Sequence, residues 1–221
     1  MGFTEETFTY LRELEDNNSK AWFEENRDRY ETYWKSAGLD FIAGLSDRMV
    51  ELQPSLRAEP RLNGSLRRIN RDVRFSKDKS PYNARLHIVF WAGDHPNRSP
   101  GVHLVLQSDG VGYGAGQWGI EPERLRELRT RIVKETGGET LGKALDAAAI
   151  VGCTMGAPAL ARLPKGFSVD DERAQYLRYK GFVARTHDTL ADQSVLQGNG
   201  AGDWVMEVTN ALLPLIRWLS R

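Results

Sequence analysis

The residues best suited to chemistry lie between positions 71 and 87. Arg71, Arg74, Lys77 and Lys79 place four cations within nine residues, with Arg85 shortly after them. Only Asp72 and Asp78 offset them locally. Like charges held this close repel one another, so the remaining cations need distant acids, water or an anionic ligand. Arginine suits such a ligand because its rigid donor fork matches carboxylate and phosphate oxygens. Tyr82 adds an amphipathic ring, and His87 an imidazole that titrates near neutrality and can take or give a proton. The candidate ligand-binding residues are therefore Arg71, Asp72, Arg74, Lys77, Lys79, Tyr82, Arg85 and His87. No catalytic residue is singled out. The competing expectation is structural: a salt-bridge network pinning this cationic stretch to acidic helices nearer the N-terminus.

Charge distribution permits both. The whole chain of 221 residues has 30 basic and 30 acidic side chains, a balance that opposes strong nonspecific DNA binding. The balance is not local. Residues 1–56 hold twelve acids against six bases, whereas residues 57–85 hold nine bases against three acids. The second stretch either neutralises the first or faces an anion.

Other chemistry is weakly signalled. His103 shares the alternation phase of His87 on a separate expected strand, so the two approach each other if those strands are neighbours. An acid such as Asp109 would then complete a set of metal ligands, but no two histidines have short ligand spacing, and no metal or cofactor is expected. His87 is expected to find a neighbouring hydroxyl. Gly114, Gly116 and Gly119 match a dinucleotide-type glycine pattern, yet they follow a hairpin and not the first strand of a βαβ unit. Gly112, Gly114 and Gly116 share one strand face, where missing side chains let another group approach closely. Cys153 is the single cysteine, which excludes an internal disulfide framework, and its apolar neighbours mark it as buried and inert.

The elements that must position these residues read helices first, strands second. Phe3, Thr4 and Phe8 form a stapled helix start, and Leu11 and Leu14 continue its apolar stripe. Asn18 or Ser19 caps a second helix carrying Trp22, Phe23, Tyr30, Tyr33 and Trp34. Gly38 interrupts that pattern, and a third helix begins near Asp40. Residues 66–70 read as a short strand and 72–82 as a loop, with Val73 and Phe75 anchoring the cations to the core. Strands follow over 84–92, 101–107 and 111–117, the last two joined by a turn at Asp109-Gly110. Pro122 opens another helix, which Gly137-Gly138 ends. A short helix over 139–148, a strand over 181–186 and a final helix from Asp203, kinked at Pro214, complete the chain. The resulting expectation is one α+β domain over residues 1–221: a central, mainly antiparallel β-sheet flanked by helices.

The dodecapeptide from Arg71 to Tyr82, RDVRFSKDKSPY, resembles the core motif of a family of conserved hypothetical proteins called domain of unknown function 2461 (DUF2461). Leu14, Asn17, Asn18, Trp22, Phe23 and Tyr30 resemble that family's opening motif. Gly112–Gly116, the helix with Pro122, Leu125 and Arg129, and the segments Pro164–Phe167 and Leu177–Lys180 extend the similarity over most of the chain. The resemblance implies a single domain and supplies no reaction and no catalytic residue.

Three functional classes follow. The first is a binding domain for a small phosphate- or carboxylate-bearing ligand. The second is an enzyme that holds an anionic substrate with the same cluster. The third is a nucleic-acid or protein-interaction module. No apolar run reaches the roughly 18 residues of a membrane span, and Met1–Glu6 has no signal-peptide character, so a cytoplasmic, non-membrane protein is expected. Oligomeric state is left open.

Overall fold

The computed structural model describes residues 2–169, 172–187 and 189–221. Helix α1 (Glu5–Asp16) buries Phe8, Leu11 and Leu14, the stripe expected from their spacing. Each such side chain contributes about 1.5–3 kcal/mol when fully buried. Helix α2 (Lys20–Glu25) begins at Ser19, whose Oγ accepts the Trp22 N–H at 3.2 Å. A helical turn, α3 (Arg27–Arg29), leads into a π-helical stretch, Tyr30–Ser36, and on into α4 (Ala37–Leu52). Gly38 does not interrupt the helix. It lies in the first turn of α4, where a Cβ would sit 3.1 Å from Leu66 Cδ1, so its role is close packing.

The sheet has six strands: β1 (Leu56–Arg57), β2 (Leu86–Ala92), β3 (Gly101–Gln107), β4 (Gly110–Gln117), β5 (Thr154–Met155) and β6 (Phe182–Arg185). Their spatial order is β1-β2-β3-β4-β6-β5, with every neighbouring pair antiparallel. The short edge strands β1 and β5 carry too little pattern to be read from sequence. Residues 66–70 form no strand. Leu66 instead makes a single bridge to Ile88 and Asn70 one to Tyr82.

Helix α5 (Pro122–Val133) ends at Lys134, which is extended, and α6 (Glu135–Ile150) starts directly after it. Gly137 and Gly138 therefore lie inside α6 and do not terminate α5. The crowding there explains them: a Cβ on Gly137 would be 2.0 Å from the Arg131 carbonyl oxygen. A short α7 (Ala174–Leu177), a 3-10 turn (Gln193–Leu196) and α8 (Ala201–Ser220) follow, and α8 runs through Pro214. Together these elements make the single α+β domain expected.

Strand alternation divides the sheet into two unlike faces. Leu86, Ile88, Phe90, Val102, Leu104, Leu106, Val111 and Ala115 join the hydrophobic core beneath α1, α4 and α8. The opposite face carries His87, His103, Val105, Gln107, Gly112 and Gly114, which line a cleft. Near one end of that face Val89 and Trp91 are buried but stand outside the core cluster.

Candidate functional site

The cleft exists because pairing beside β4 is interrupted. β4 pairs with β6 from Gly114 to Gln117, and Val111 bonds again with Ala191. Between these contacts the neighbouring chain leaves the ladder next to Gly112. The gap is a cleft of about 420 Å³, floored by Gly112 and Gly114 and walled by Arg85, Gln107, Trp118, Arg185, His187 and Leu190. The glycines serve different purposes. A Cβ on Gly114 would lie 2.5 Å from the Ala184 carbonyl oxygen, so β6 requires its absence. A Cβ on Gly112 would meet nothing closer than 3.5 Å, so this glycine keeps the floor low without any packing need.

At the bottom of the cleft His87 and His103 are diagonal neighbours on β2 and β3, since His87 faces Val105 and Val89 faces His103. Their ring nitrogens, His87 Nε2 and His103 Nδ1, are 2.9 Å apart. One of the two must donate and the other accept, which two neutral imidazoles satisfy. His87 thus bonds a second histidine and not the expected hydroxyl. Burial pushes the His87 pKa well below its ordinary value, with added repulsion from His103, Arg85 and Arg67. Burial followed by Arg67 lowers that of His103 to about 4. Both rings are consequently neutral at pH 7. Asp109 does not join them. It lines a separate depression with Arg71, so the carboxylate that could complete a metal set is elsewhere.

Arg67, which the sequence reading did not select, stands over this pair. Its backbone N–H donates to the His87 carbonyl oxygen at 2.9 Å, and Val89 N–H donates to Ser65, so the 65–67 segment runs along β2. The Arg67 guanidinium bonds Asn97 Oδ1 and no carboxylate, and burial lowers its pKa. Arg67 lines a second depression with His87, His103 and Trp118, directly continuous with the cleft. Among the described residues lining both depressions there is no aspartate or glutamate. The only sequence signal for Arg67 was its place in the basic stretch. Its alignment along β2 depends on a bridge that leaves no periodic mark.

The residues singled out from sequence divide into three groups. Arg85 and His87 enter the cleft, with the Arg85 carbonyl fixed by the Trp34 indole N–H at 3.3 Å. Arg71 and Tyr82 line, with Glu15, Asp78 and Asp109, an adjoining polar depression of about 570 Å³ that meets the cleft at Arg85 and Gln107. Asp72, Arg74 and Lys77 point away, exposed on the tip of the 71–81 loop, and Lys79 there donates to the Val73 carbonyl at 2.9 Å. Arg71 pairs with Asp78, and Arg74 with Asp72 at 2.7 Å. Asp78 is held well below the usual carboxylate range by the Ser80 hydroxyl and N–H and then by Arg71.

Two expectations about this loop are corrected. Phe75 is no anchor: it is 95% exposed, with the Arg74 guanidinium 5.8 Å from its ring centre. Nor do salt bridges tie the loop to the N-terminal helices, whose acids pair locally, Glu5 with Arg12, Glu13 with Arg29 and Glu24 with Arg27. The tie is made by Asn18. Its side chain donates to the Tyr82 carbonyl at 2.9 Å and accepts the Tyr82 N–H at 3.1 Å. The Tyr82 ring stacks on Phe23 with centroids 4.1 Å apart. Cys153 is buried and its thiol pushed up to about 11 by that burial.

The fold and cleft define an α+β domain with one sheet face packed by helices and the other carrying an arginine-walled recess with no carboxylate among its described lining residues. A family model described as conserved hypothetical protein (DUF2461) matches residues 6–218, and the chain belongs to that family. Comparisons with curated proteins and with solved structures find no match. No helix among the described residues is long and apolar enough to cross a membrane.

Proposed function

We propose that this protein binds a small phosphate- or carboxylate-bearing molecule in the cleft above Gly112. One observation carries the reading. Arg67, Arg85 and Arg185 surround the recess, and none of them makes a salt bridge among the described residues, whereas Arg71 and Arg74 on the nearby loop are each satisfied by an aspartate. A group of arginines around a recess with no carboxylate among its described lining residues is an arrangement that an anion completes. The glycine floor admits a flat molecule, and Trp118, 70% exposed at the rim, offers a ring face to stack on it. The adjoining depression, lined by Glu15, Asp78 and Asp109 beside Arg71, gives an uncharged or cationic extension of a longer ligand room past Arg85.

The test is a titration with inorganic phosphate followed by protein NMR. Cross-peaks of Gly112, Gly114 and the 85–87 segment should move. A charge-assisted hydrogen bond contributes about 1.5–3 kcal/mol, so Arg85→Ala should weaken phosphate binding by roughly 10- to 100-fold. Arg126→Ala, on the outer face of α5, should leave it unchanged. Phosphate shifts confined to other surfaces, or equal affinity in both variants, would overturn the reading.

A further inference from the structure

We propose that His87 and His103 act together as a proton relay that interconverts the keto and enol forms of an enolisable carbonyl compound bearing a carboxylate or phosphate. This rests on the anion-binding reading of the cleft and adds a reaction to it.

The geometry is the starting point. The inner nitrogens, His87 Nε2 and His103 Nδ1, are engaged with each other at 2.9 Å. The outer nitrogens, His87 Nδ1 and His103 Nε2, have no hydrogen-bond partner among the described residues, and neither is a buried unpaired atom. Both rings line both depressions, so the outer nitrogens open onto the recess. A neutral imidazole has one N–H and one lone pair. With the inner N–H on His103, the lone pair is outward on His103 and the free N–H outward on His87. With the inner N–H on His87, the two are reversed. In either tautomer the pair shows the recess one donor and one acceptor.

That arrangement fits a concerted transfer. The outer lone pair of one histidine takes a proton from the carbon next to the carbonyl. The C–H electrons become the C=C bond, and the carbonyl π pair moves to oxygen. Oxygen takes the outer proton of the other histidine, while the shared proton crosses the 2.9 Å gap between the rings. Every proton is accounted for, and the pair finishes neutral with its tautomers exchanged. Ketonisation in the reverse sense resets it, at the same carbon or at a neighbouring one.

The surrounding charges favour this route over a single-histidine base. Arg67, Arg85 and Arg185 line the recess with no carboxylate among its described lining residues, and Arg67 and Arg85 are close enough to act on His87. An imidazolium created there would be repelled by the same arginines that hold the anion. A relay moves the proton without creating one. The enolate-like charge that develops on the substrate oxygen meets those arginines instead.

The experiment is deuterium incorporation from D2O into phenylpyruvate and, separately, dihydroxyacetone phosphate, read by proton NMR at pH 7. The two arms distinguish a carboxylate-bearing from a phosphate-bearing substrate. Exchange catalysed by the wild-type protein in either arm is expected, and His103→Asn and His87→Asn should each lower it by roughly 100-fold or more. Nitrogen-15 spectra of the wild-type rings should show two neutral imidazoles at pH 7, a readout that holds even if a variant fails to fold. Probe binding without exchange, exchange equal in the variants, or an imidazolium at pH 7 would overturn the relay. Binding without exchange would leave the anion site standing, whereas absence of binding by phosphate and both probes would remove both readings.

Discussion

Gly112 and Gly114 show how two residues of one type, on one face of one strand, can have separate purposes. The missing side chain of Gly114 makes room for the Ala184–Arg185 backbone, while that of Gly112 leaves open space above the sheet. Gly114→Ala should therefore destabilise the protein by about 1–3 kcal/mol through overpacking. Gly112→Val should keep the fold within about 0.5 kcal/mol, because a branched side chain suits a strand and its methyls project into the cleft. The same change should weaken phosphate binding, since those methyls occupy the floor. Urea denaturation and the phosphate titration, run on both variants, give the comparison. Unchanged affinity in a folded Gly112→Val protein would place the ligand elsewhere. The shared glycine face could be read from alternation alone, but the division of labour could not, because it depends on where β6 departs from β4.

The 71–81 loop behaves as an element with a fixed base and a free tip. Its base is a two-way amide contact between Asn18 and the Tyr82 backbone, reinforced by Tyr82 on Phe23, and a bond from Arg71 N–H to the Pro81 carbonyl at 2.9 Å. Its tip is Arg74, Phe75 and Lys77 in solvent. Asn18→Ala leaves two part-buried backbone groups of Tyr82 without partners and should cost about 1–3 kcal/mol. Phe75→Ala removes a ring that buries almost nothing and should leave the thermal midpoint where it was. A large loss of stability from Phe75→Ala would contradict the exposed tip. Sequence patterning here gave the wrong anchor. In an extended stretch Val73 and Phe75 share a side with Arg71, yet nothing in that pattern says whether the side meets the core. The helices and the three long strands were legible because their stripes are long and one-sided. The start of α6 was not, because an extended Lys134 ends α5 earlier than the glycines imply.

For the molecule as a whole, the sheet is a partition: helices on one face supply stability, and the other face gives some of it up to hold neutral histidines among arginines. That partition has a signature in the pH dependence of folding. The folded pKa of His103 is about 4, against an ordinary value near 6.5, and His87 is also depressed. Arg67, Arg85, Arg185 and His187 line the depressions around the pair, and Arg67 and Arg85 are the cations that act on it. Below pH 6.5 the unfolded chain takes up protons that the folded pair resists, so stability is complete above that value and falls as pH drops toward 4. His103 alone accounts for roughly 3 kcal/mol over this interval. The carboxylates held low by arginine or hydroxyl partners, Glu13, Asp72 and Asp78 among them, lose their contribution mainly at still lower pH. Urea midpoints of the wild type should thus decline between pH 6.5 and 4.5, before those acids protonate. In His103→Asn the decline over the same interval should be markedly shallower, with only His87 left to resist protonation. A wild-type midpoint that is flat across this range, or a decline equally steep in the variant, would mean that His103 takes up its proton as readily in the folded protein as in the unfolded chain and that the recess is not the desolvated, arginine-walled site described by its geometry.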